Sequence, residues 1–225
     1  MSRRRGQVFE NPVTGERVVG ITDPLDHPDG VLVAELHVAP GGRVALAHYH
    51  PGLVERFHVV RGQVTYLIDD HEETLGPGGA AEVPAGAVHD WWQVGEEEAV
   101  VVCEVDPGGR FTEMVGTFFG LARDGKVDRK GVPHPLQLAL TAREYRDTMV
   151  AAKPPPWVQS VVFGVLAPIA RARGLKPSHP EYLNSDVVVE PDPEAMALIG
   201  PDGRLRQAPT GTAVPETPAP DGQQH

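Results

Sequence analysis

Three histidines and one glutamate in the first half of the chain have the residue types and the spacing of metal ligands. His48 and His50 lie two residues apart in a stretch that reads as a β-strand, so both side chains project from the same face. Glu55 begins the next predicted strand, where hairpin pairing would return it to the histidines. His89 belongs to a later strand that must cross over to join them. Three imidazole nitrogens and one carboxylate suit one divalent first-row ion, and they do not distinguish among Fe, Mn, Ni, Co, Cu and Zn.

The glycines and a proline around these residues complete two ordered motifs. The first reads Gly42-x5-His48-x-His50-x4-Glu55-x6-Gly62, and the second reads Gly78-x5-Pro84-x-Gly86-x2-His89-x3-Gln93. Over roughly residues 30–106 they resemble the paired motifs of the cupin superfamily, and in particular those of small single-domain cupins with quercetinase-like metal-binding motifs. Gln93 stands where the family usually has asparagine, at a position that is not a metal ligand in the family.

The resemblance implies a fold and a site. The fold would be mainly β, with a single cupin barrel of the double-stranded β-helix or jelly-roll kind. His48, His50, Glu55 and His89 would hold one divalent transition metal per chain inside the barrel, near one mouth. Cupins with all four ligands include dioxygenases of flavonols and other enolic substrates, oxalate-degrading enzymes, sugar-phosphate isomerases and binding domains without known chemistry. The fold alone does not choose among these activities.

The pattern of short strands independently favours a sandwich or barrel. From about residue 7 to residue 114, short apolar runs alternate with glycine and proline turns such as 40–42 and 76–79. Strands at this short and even spacing are typical of such folds. We therefore assign residues 1–115 to a cupin β-barrel with N-terminal strands.

The pattern becomes helical after about residue 120. Five residues at steps of three and four mark one face of a first helix: Leu138, Ala142, Tyr145, Met149 and Ala152. A second helix is predicted over 157–173. We expect this two-helix extension, residues 116–180, to pack on the barrel or on a dimer partner, with contact in the plane of a membrane through Trp157 as the alternative. The polar tail, 201–225, is predicted to be disordered.

The composition excludes some classes of partner. The chain has 20 Lys and Arg against 31 Asp and Glu, a formal net charge of -11, and so lacks the basic surface that binds nucleic acid. The single cysteine, Cys103, cannot form an internal disulfide, and no apolar run follows the N-terminal arginines as a secretory signal requires. The longest apolar stretch, 158–170, is too short to span a bilayer. We expect a cytoplasmic homodimer with a small-molecule substrate and neither a nucleic-acid nor a membrane partner.

Four residues near the predicted ligands are candidates for binding the substrate: Phe57, Tyr66, Trp91 and Gln93. Phe57 shares the Glu55 face of its strand, and Trp91 and Gln93 share the face of His89. Trp91 is either part of the barrel core or a wall on which substrate stacks. Tyr66 would donate a hydrogen bond to substrate if it faces the interior.

Other polar and aromatic residues have two interpretations each. His58 should point away from Glu55 and out of the barrel. Glu35 and His37 share one face of an otherwise apolar strand. They either form a solvated outer face or reach the cavity, where they would hydrogen-bond to the metal ligands or transfer protons. The segment 111–121, with Phe118 and Phe119, is a candidate apolar lid for the cavity mouth.

These features favour a metal-dependent oxygenase or dioxygenase that acts on a small enolic or aromatic substrate. The site resembles those in which substrate oxygens and dioxygen share one ion, and Glu55 is the ligand best able to act as a catalytic base. One alternative is a metal-dependent isomerase, cyclase or lyase that uses the ion as a Lewis acid. Another is a non-enzymatic small-molecule-binding cupin.

Overall fold

The computed structural model describes residues 5–183, 185 and 187–206. Most of the predicted disordered tail, residues 207–225, lies outside the described residues. The strands of the described part are β1 (Val8–Asn11), β2 (Glu16–Thr22), β3 (Leu32–Val38), β4 (His48–Tyr49), β5 (Val54–Arg61), β6 (Gln63–Ile68), β7 (His71–Leu75), β8 (Ala80–Val83), β9 (His89–Val94), β10 (Ala99–Asp106) and β11 (Val150–Ala151). The α-helices are α1 (Phe111–Arg123), α2 (Pro135–Glu144), α3 (Pro156–Ala172) and α4 (Pro193–Ala197), with a short 3-10 helix at Pro180–Leu183.

Two antiparallel sheets form the body of the protein, which confirms the predicted mainly-β class. The six-stranded sheet has the order β1-β2-β3-β10-β5-β8, and the five-stranded sheet has the order β11-β4-β9-β6-β7. Their inner faces share one apolar cluster, whose largest members are Leu36, Phe57, Tyr66, Ile68, Leu75 and Trp91. Alternation along β5 places Glu55, Phe57 and Val59 on this inner face, as the period of two predicts.

The outer face of the six-stranded sheet is also buried, because the C-terminal strap, residues 187–206, packs across it. Ile21, Val31, Val33 and Val102 of the sheet contact Ala195 and Ile199 of the strap. Ion pairs hold the strap at both ends, including a contact of 2.7 Å between Arg61 and Asp192 and a pair between Arg204 and Asp106. The run from residue 99 to residue 102 is therefore buried on both faces, as its unbroken apolar sequence indicates.

Glu35 and His37 lie on the outer face, but the strap covers them. His37 Nε2 lies 3.3 Å from Glu35 Oε2, and the backbone amide of Asp192 donates to Glu35 Oε1. The prediction of an outer face is confirmed, and the prediction that this face is solvated is wrong. The period of the strand identifies the face, whereas the strap reaches it from more than a hundred residues away.

The helical region differs from its prediction in two places. Helix α1, which the sequence indicated only as an apolar segment, begins at Phe111, and α3 matches the second predicted helix to within a residue. The first predicted helix reaches Ala152, whereas α2 ends at Glu144. The chain turns there because the carbonyl of Tyr145 accepts from the amides of Thr148 and Met149. Residues 150–151 then pair with β4 as a strand.

Helices α2 and α3 pack against each other through a small apolar cluster, formed by Leu136, Leu140, Ala167 and Ala170. The opposite face of α3 is exposed and apolar, with Trp157 at 71% and Val161 at 63% exposure. None of the described helices combines the length and the apolar character needed to cross a membrane.

The motif glycines differ in what they do, and substitution by alanine should separate two costs. Gly62 has a φ of +70°, and an added Cβ would lie 2.7 Å from Ala99 Cα, whereas Gly78 has a φ of +84° with open space around it. Gly52 has neither constraint. We expect urea unfolding to show losses of about 3 kcal/mol for Gly62→Ala, about 1 kcal/mol for Gly78→Ala and under about 0.5 kcal/mol for Gly52→Ala. Equal losses at Gly62 and Gly52 would contradict the close approach.

Candidate metal centre and cavity

The four predicted ligands come together between the two sheets. His48 opens β4 and pairs directly with His89, which opens β9. His50 follows β4, and Glu55 faces all three histidines from β5 of the other sheet. All four side chains are buried, and one ligand atom from each lies within 4.8 Å of the others. The predicted constellation is confirmed, and no other group of this kind occurs among the described residues.

Backbone carbonyls orient the three imidazole rings. Nδ1 of His48 lies 2.8 Å from the carbonyl oxygen of Leu46, and Nδ1 of His89 lies 3.2 Å from that of Ala87. Nδ1 of His50 lies 2.6 Å from the carbonyl oxygen of Thr148. A carbonyl only accepts, so each Nδ1 carries a proton, and Nε2 is the ring nitrogen available as a metal ligand.

The remaining ring nitrogens have the surroundings of metal ligands. Nε2 of His50 and Nε2 of His89 are buried without a hydrogen-bond partner. They lie 3.2 Å and 3.0 Å from Glu55 Oε2, close enough for one ion to contact all three atoms. Buried polar atoms without partners are rare in folded proteins, and a bound ion would satisfy both. Three imidazoles, each with Nε2 deprotonated on metal binding, and one carboxylate fit a divalent transition metal.

The charge states of the cluster suit a cation. Burial, together with the neighbouring His89 and His50, lowers the pKa of His48 to about 3. Burial alone would raise the pKa of Glu55, but hydrogen bonds and positive charge from His50 and His89 outweigh it and hold the pKa well below its usual range. Burial lowers the pKa of His50, but the contact with Glu55 outweighs burial and raises it, so in the absence of a metal Glu55 attracts a proton to the Nε2 atom that faces it. Glu55 is thus an ionised carboxylate in an apolar interior, which disfavours any occupant other than a positive one.

The helical extension completes this centre. Thr148, which orients His50, lies in the turn between α2 and β11, and β11 pairs with β4 at Tyr49 and His48. The amide of Ala152 also donates to the carbonyl of Ala47, at 2.9 Å. The extension therefore holds the strand that carries two of the ligands. No local pattern in the sequence predicts this contact, because it joins residues about a hundred positions apart.

An apolar cavity of about 170 Å³ opens from the metal ligands. His48 and Glu55 line it, and Phe57 and Trp91 form part of its wall. Helix α1 contributes aromatic and apolar side chains, namely Phe111, Met114, Val115, Phe118 and Phe119. The Phe111 ring also lies 5.7 Å from the His50 ring. The predicted lid segment thus lies against the cavity as a helix, and none of the described lining residues is a lysine or arginine.

The structure brings two of the four predicted substrate residues to the cavity. Phe57 and Trp91 line it, whereas Tyr66 packs in the core with its ring 5.1 Å from that of Phe57. The Gln93 amide is occupied by backbone groups: Gly41 N–H donates to Oε1 at 2.7 Å, and Nε2 donates to the carbonyls of Val94, Gly95 and Glu97. Gln93 therefore holds two turns together, and both of its polar side-chain atoms bond to backbone groups.

His58 and Cys103 lie on neighbouring strands, on opposite sides of the six-stranded sheet. His58 is half-buried on the outer side of β5 and is not among the clustered ligands, in agreement with its parity. Cys103 lines the cavity beside Phe57, and burial raises the pKa of its thiol well above the usual range. The thiol is therefore protonated and behaves as a small apolar side chain.

Glu16 is a cavity residue that the sequence analysis did not identify. It begins β2, is buried on the inner face and lines the same cavity as His48 and Glu55. The Thr14 hydroxyl donates to its carboxylate at 2.6 Å. Burial raises the pKa of Glu16 to about 7, against the opposing effect of Thr14. The alternation of side-chain faces along a strand could have identified it, because Glu16 lies on the same face of its strand as the apolar Val18.

Replacement of one ligand and one matched histidine should separate the metal site from the barrel surface. His89→Ala removes a nitrogen donor, and we expect the purified protein to retain less than about a tenth of the wild-type metal content. His58→Ala alters a histidine on the outer side of β5 and should retain full occupancy. Elemental analysis of proteins purified without an affinity metal column measures both. Full metal content in His89→Ala would contradict the assignment of the ligands.

The raised pKa of Glu16 predicts a particular pH dependence of stability. The unfolded carboxyl ionises near 4.5 and the folded one near 7, so the folded state binds more protons between these values. The free energy of unfolding should fall across this range as pH rises, by about 3 kcal/mol at most, and should level off above it. Urea unfolding should show this fall in wild type and in Glu10→Gln, an exposed control. A fall of the same size in Glu16→Gln would contradict this assignment.

Comparisons with known proteins agree with the fold and with the position of the site. Residues 34–105 match the family model described as a cupin domain. Quercetin 2,3-dioxygenase of Bacillus subtilis (strain 168) is 32% identical over 79 residues, which cover 35% of this chain and 23% of that relative. The matched region therefore spans about a quarter of that relative's length.

Two solved structures align with a somewhat larger part of the chain. KdgF from Halomonas sp. is 16% identical, with a TM-score of 0.38 over 44% of this chain and 84% of that one. A sugar phosphate isomerase of the cupin superfamily from Silicibacter pomeroyi is 24% identical, with a TM-score of 0.39 over 46% of this chain and 69% of that one. The match to the cupin-domain model covers about a third of this chain and includes all four clustered ligands.

Proposed function

We propose that this protein is a metal-dependent oxygenase acting on a small, largely apolar substrate with an enolic or phenolic oxygen. The observation that carries the proposal is that two members of the ligand cluster, His48 and Glu55, line a cavity walled mainly by apolar and aromatic side chains. Such a cavity binds an unsaturated or aromatic body, while the ligand end binds its oxygen atoms. The similarity to quercetin 2,3-dioxygenase over 79 residues supports the same class of reaction.

The residues of the centre divide the work between holding an ion and moving a proton. His48, His50, Glu55 and His89 would hold one divalent transition metal, which supplies Lewis-acid and redox chemistry when bound. Glu55 is ionised and lines the cavity, so its carboxylate is placed to accept the proton of an enol or phenol hydroxyl. The carbonyls of Leu46, Ala87 and Thr148 keep the imidazoles in one tautomer throughout.

The side chains that line the cavity determine which substrates it favours. Phe111, Phe118 and Phe119 of α1 cover the cavity with apolar surface and limit the entry of water. A phosphorylated substrate needs lysine or arginine partners, and the described residues that line the cavity provide none. The cavity therefore favours an apolar enol or phenol over a sugar phosphate.

Oxygen consumption tests the proposal directly. Protein loaded separately with Fe, Mn, Ni or Cu is assayed in an oxygen electrode against a panel of enols, diketones and flavonols. We expect uptake with at least one metal and one substrate, and a loss of at least about a hundredfold in His50→Ala. His71→Ala, at an exposed histidine on β7, should keep the wild-type rate.

Two outcomes would assign the site to another class. Turnover that is unchanged under strict anaerobiosis would identify an isomerase, cyclase or lyase that uses the same ligands without oxygen. Binding of panel compounds without turnover by any metal form would identify a binding module. Equal oxygen uptake by wild type and His50→Ala would overturn the role of the cluster in catalysis.

A further inference from the structure

Glu16 places a carboxyl group in the cavity wall, away from the metal ligands. It is buried on β2, and its side chain lines the cavity that also contains His48 and Glu55. Its one hydrogen bond comes from the Thr14 hydroxyl, and within the described residues it forms no ion pair with a lysine, arginine or histidine. A carboxylate has about four acceptor positions, so most of the acceptor capacity of Glu16 is unused.

Strand register places Glu16 and Glu55 at opposite ends of the six-stranded sheet. Glu16 pairs with Val38 at one end of β3, whereas Glu55 pairs with Val105, which pairs with Leu32 at the other end. The length of β3 from Leu32 to Val38 separates the two register positions, and both glutamates line the same cavity, so a molecule that reaches both of them is elongated.

An unsatisfied carboxyl in an apolar wall is costly to the folded protein. Transfer of a polar group from water without full hydrogen bonding costs on the order of 1–3 kcal/mol in proteins. An apolar residue at this position would fill the wall without that cost, because the neighbouring inward residues Val18 and Leu36 are apolar. A hydrogen-bond donor on a bound molecule would satisfy the carboxyl and offset the cost.

We propose that Glu16 determines substrate specificity by accepting a hydrogen bond from a hydroxyl or amino group at the end of the substrate remote from the metal centre. This inference rests on the proposed function, and it narrows the substrate class. The substrate has an oxygen-bearing enol or phenol at one end, an apolar aromatic body in the middle and a hydrogen-bond donor at the far end. Glu16 thereby fixes the orientation in which the molecule enters.

A structural role for Glu16 makes a different prediction. If its carboxylate served only to hold the turn at Thr14, its replacement would weaken the binding of every ligand equally. If it recognises the far end of the substrate, replacement would weaken only ligands that carry the donor. Glu16→Gln retains an oxygen that can accept from Thr14 and removes the charge, whereas Glu16→Leu removes both.

The test compares two flavonol probes that differ in one hydroxyl group on the ring remote from the enol. Affinities are measured by fluorescence titration of zinc-loaded protein, with zinc content determined for each variant. We expect wild type and Glu10→Gln to prefer the hydroxylated probe ten- to a hundredfold, the range for a hydrogen bond to a charged group. The preference should fall at least fivefold in Glu16→Gln and disappear in Glu16→Leu, with affinity for the unsubstituted probe retained.

The outcomes separate this inference from the proposed function. Equal preference in wild type, Glu16→Gln and Glu16→Leu would overturn the role of Glu16, and so would binding of neither probe. Loss of affinity for both probes to the same extent would show a structural role and would also overturn it. A Glu16-dependent preference in the zinc form, without oxygen uptake by any redox-active metal form, would overturn the oxygenase and leave the role of Glu16 supported.

Discussion

The burial of three imidazoles and one carboxylate between two apolar sheets is the constraint on which the rest of the structure depends. Polar groups in such surroundings are tolerated only when their hydrogen-bonding atoms have partners. Each imidazole here has a backbone carbonyl for Nδ1, and the Nε2 atoms converge on the Glu55 carboxylate. The result is a rigid set of donors whose lone pairs meet at one point, which is the arrangement that a divalent ion requires.

Two of those carbonyls belong to residues next to the histidine in sequence, and the third belongs to a distant element. Leu46 and Ala87 each lie two residues before the histidine that they orient, just ahead of its strand. Thr148 lies in the extension, which must fold against the sheets before His50 is fixed. The pairing of β11 with the two-residue strand β4 serves the same end. The extension is therefore part of the site as well as a cover for it.

The cavity combines apolar and aromatic wall residues with two separated carboxyl groups. Strand register places Glu55 and Glu16 at opposite ends of the six-stranded sheet, and aromatic residues of α1 and the sheets line the same cavity. An apolar wall strengthens polar contacts because it excludes water and lowers the local dielectric. Molecules that match both ends are thus selected by few contacts, each of which is costly to leave unmade.

Local patterns in the sequence determined the ligand set, the turn glycines and the alternation of strand faces. Each depends on short-range geometry, since a period of two sets the face of Glu55 and Phe57 and a positive φ requires Gly62. The tertiary structure decided the rest. Tertiary packing ends α2 at Glu144, and it covers Glu35 with the C-terminal strap.

The residues of the cavity also show what local patterns predict and what only the tertiary structure decides. The alternation of faces along a strand predicted that Phe57, Trp91 and Gln93 face inward. Only the folded chain shows that the Gln93 amide bonds to the backbone of two turns and that Glu16 of β2 lines the cavity. A strand period identifies the face of a residue and carries no information about which distant segment meets that face. Contacts such as Thr148 with His50 depend on how the sheets, helices and strap pack together, and that packing was decided by the tertiary structure alone.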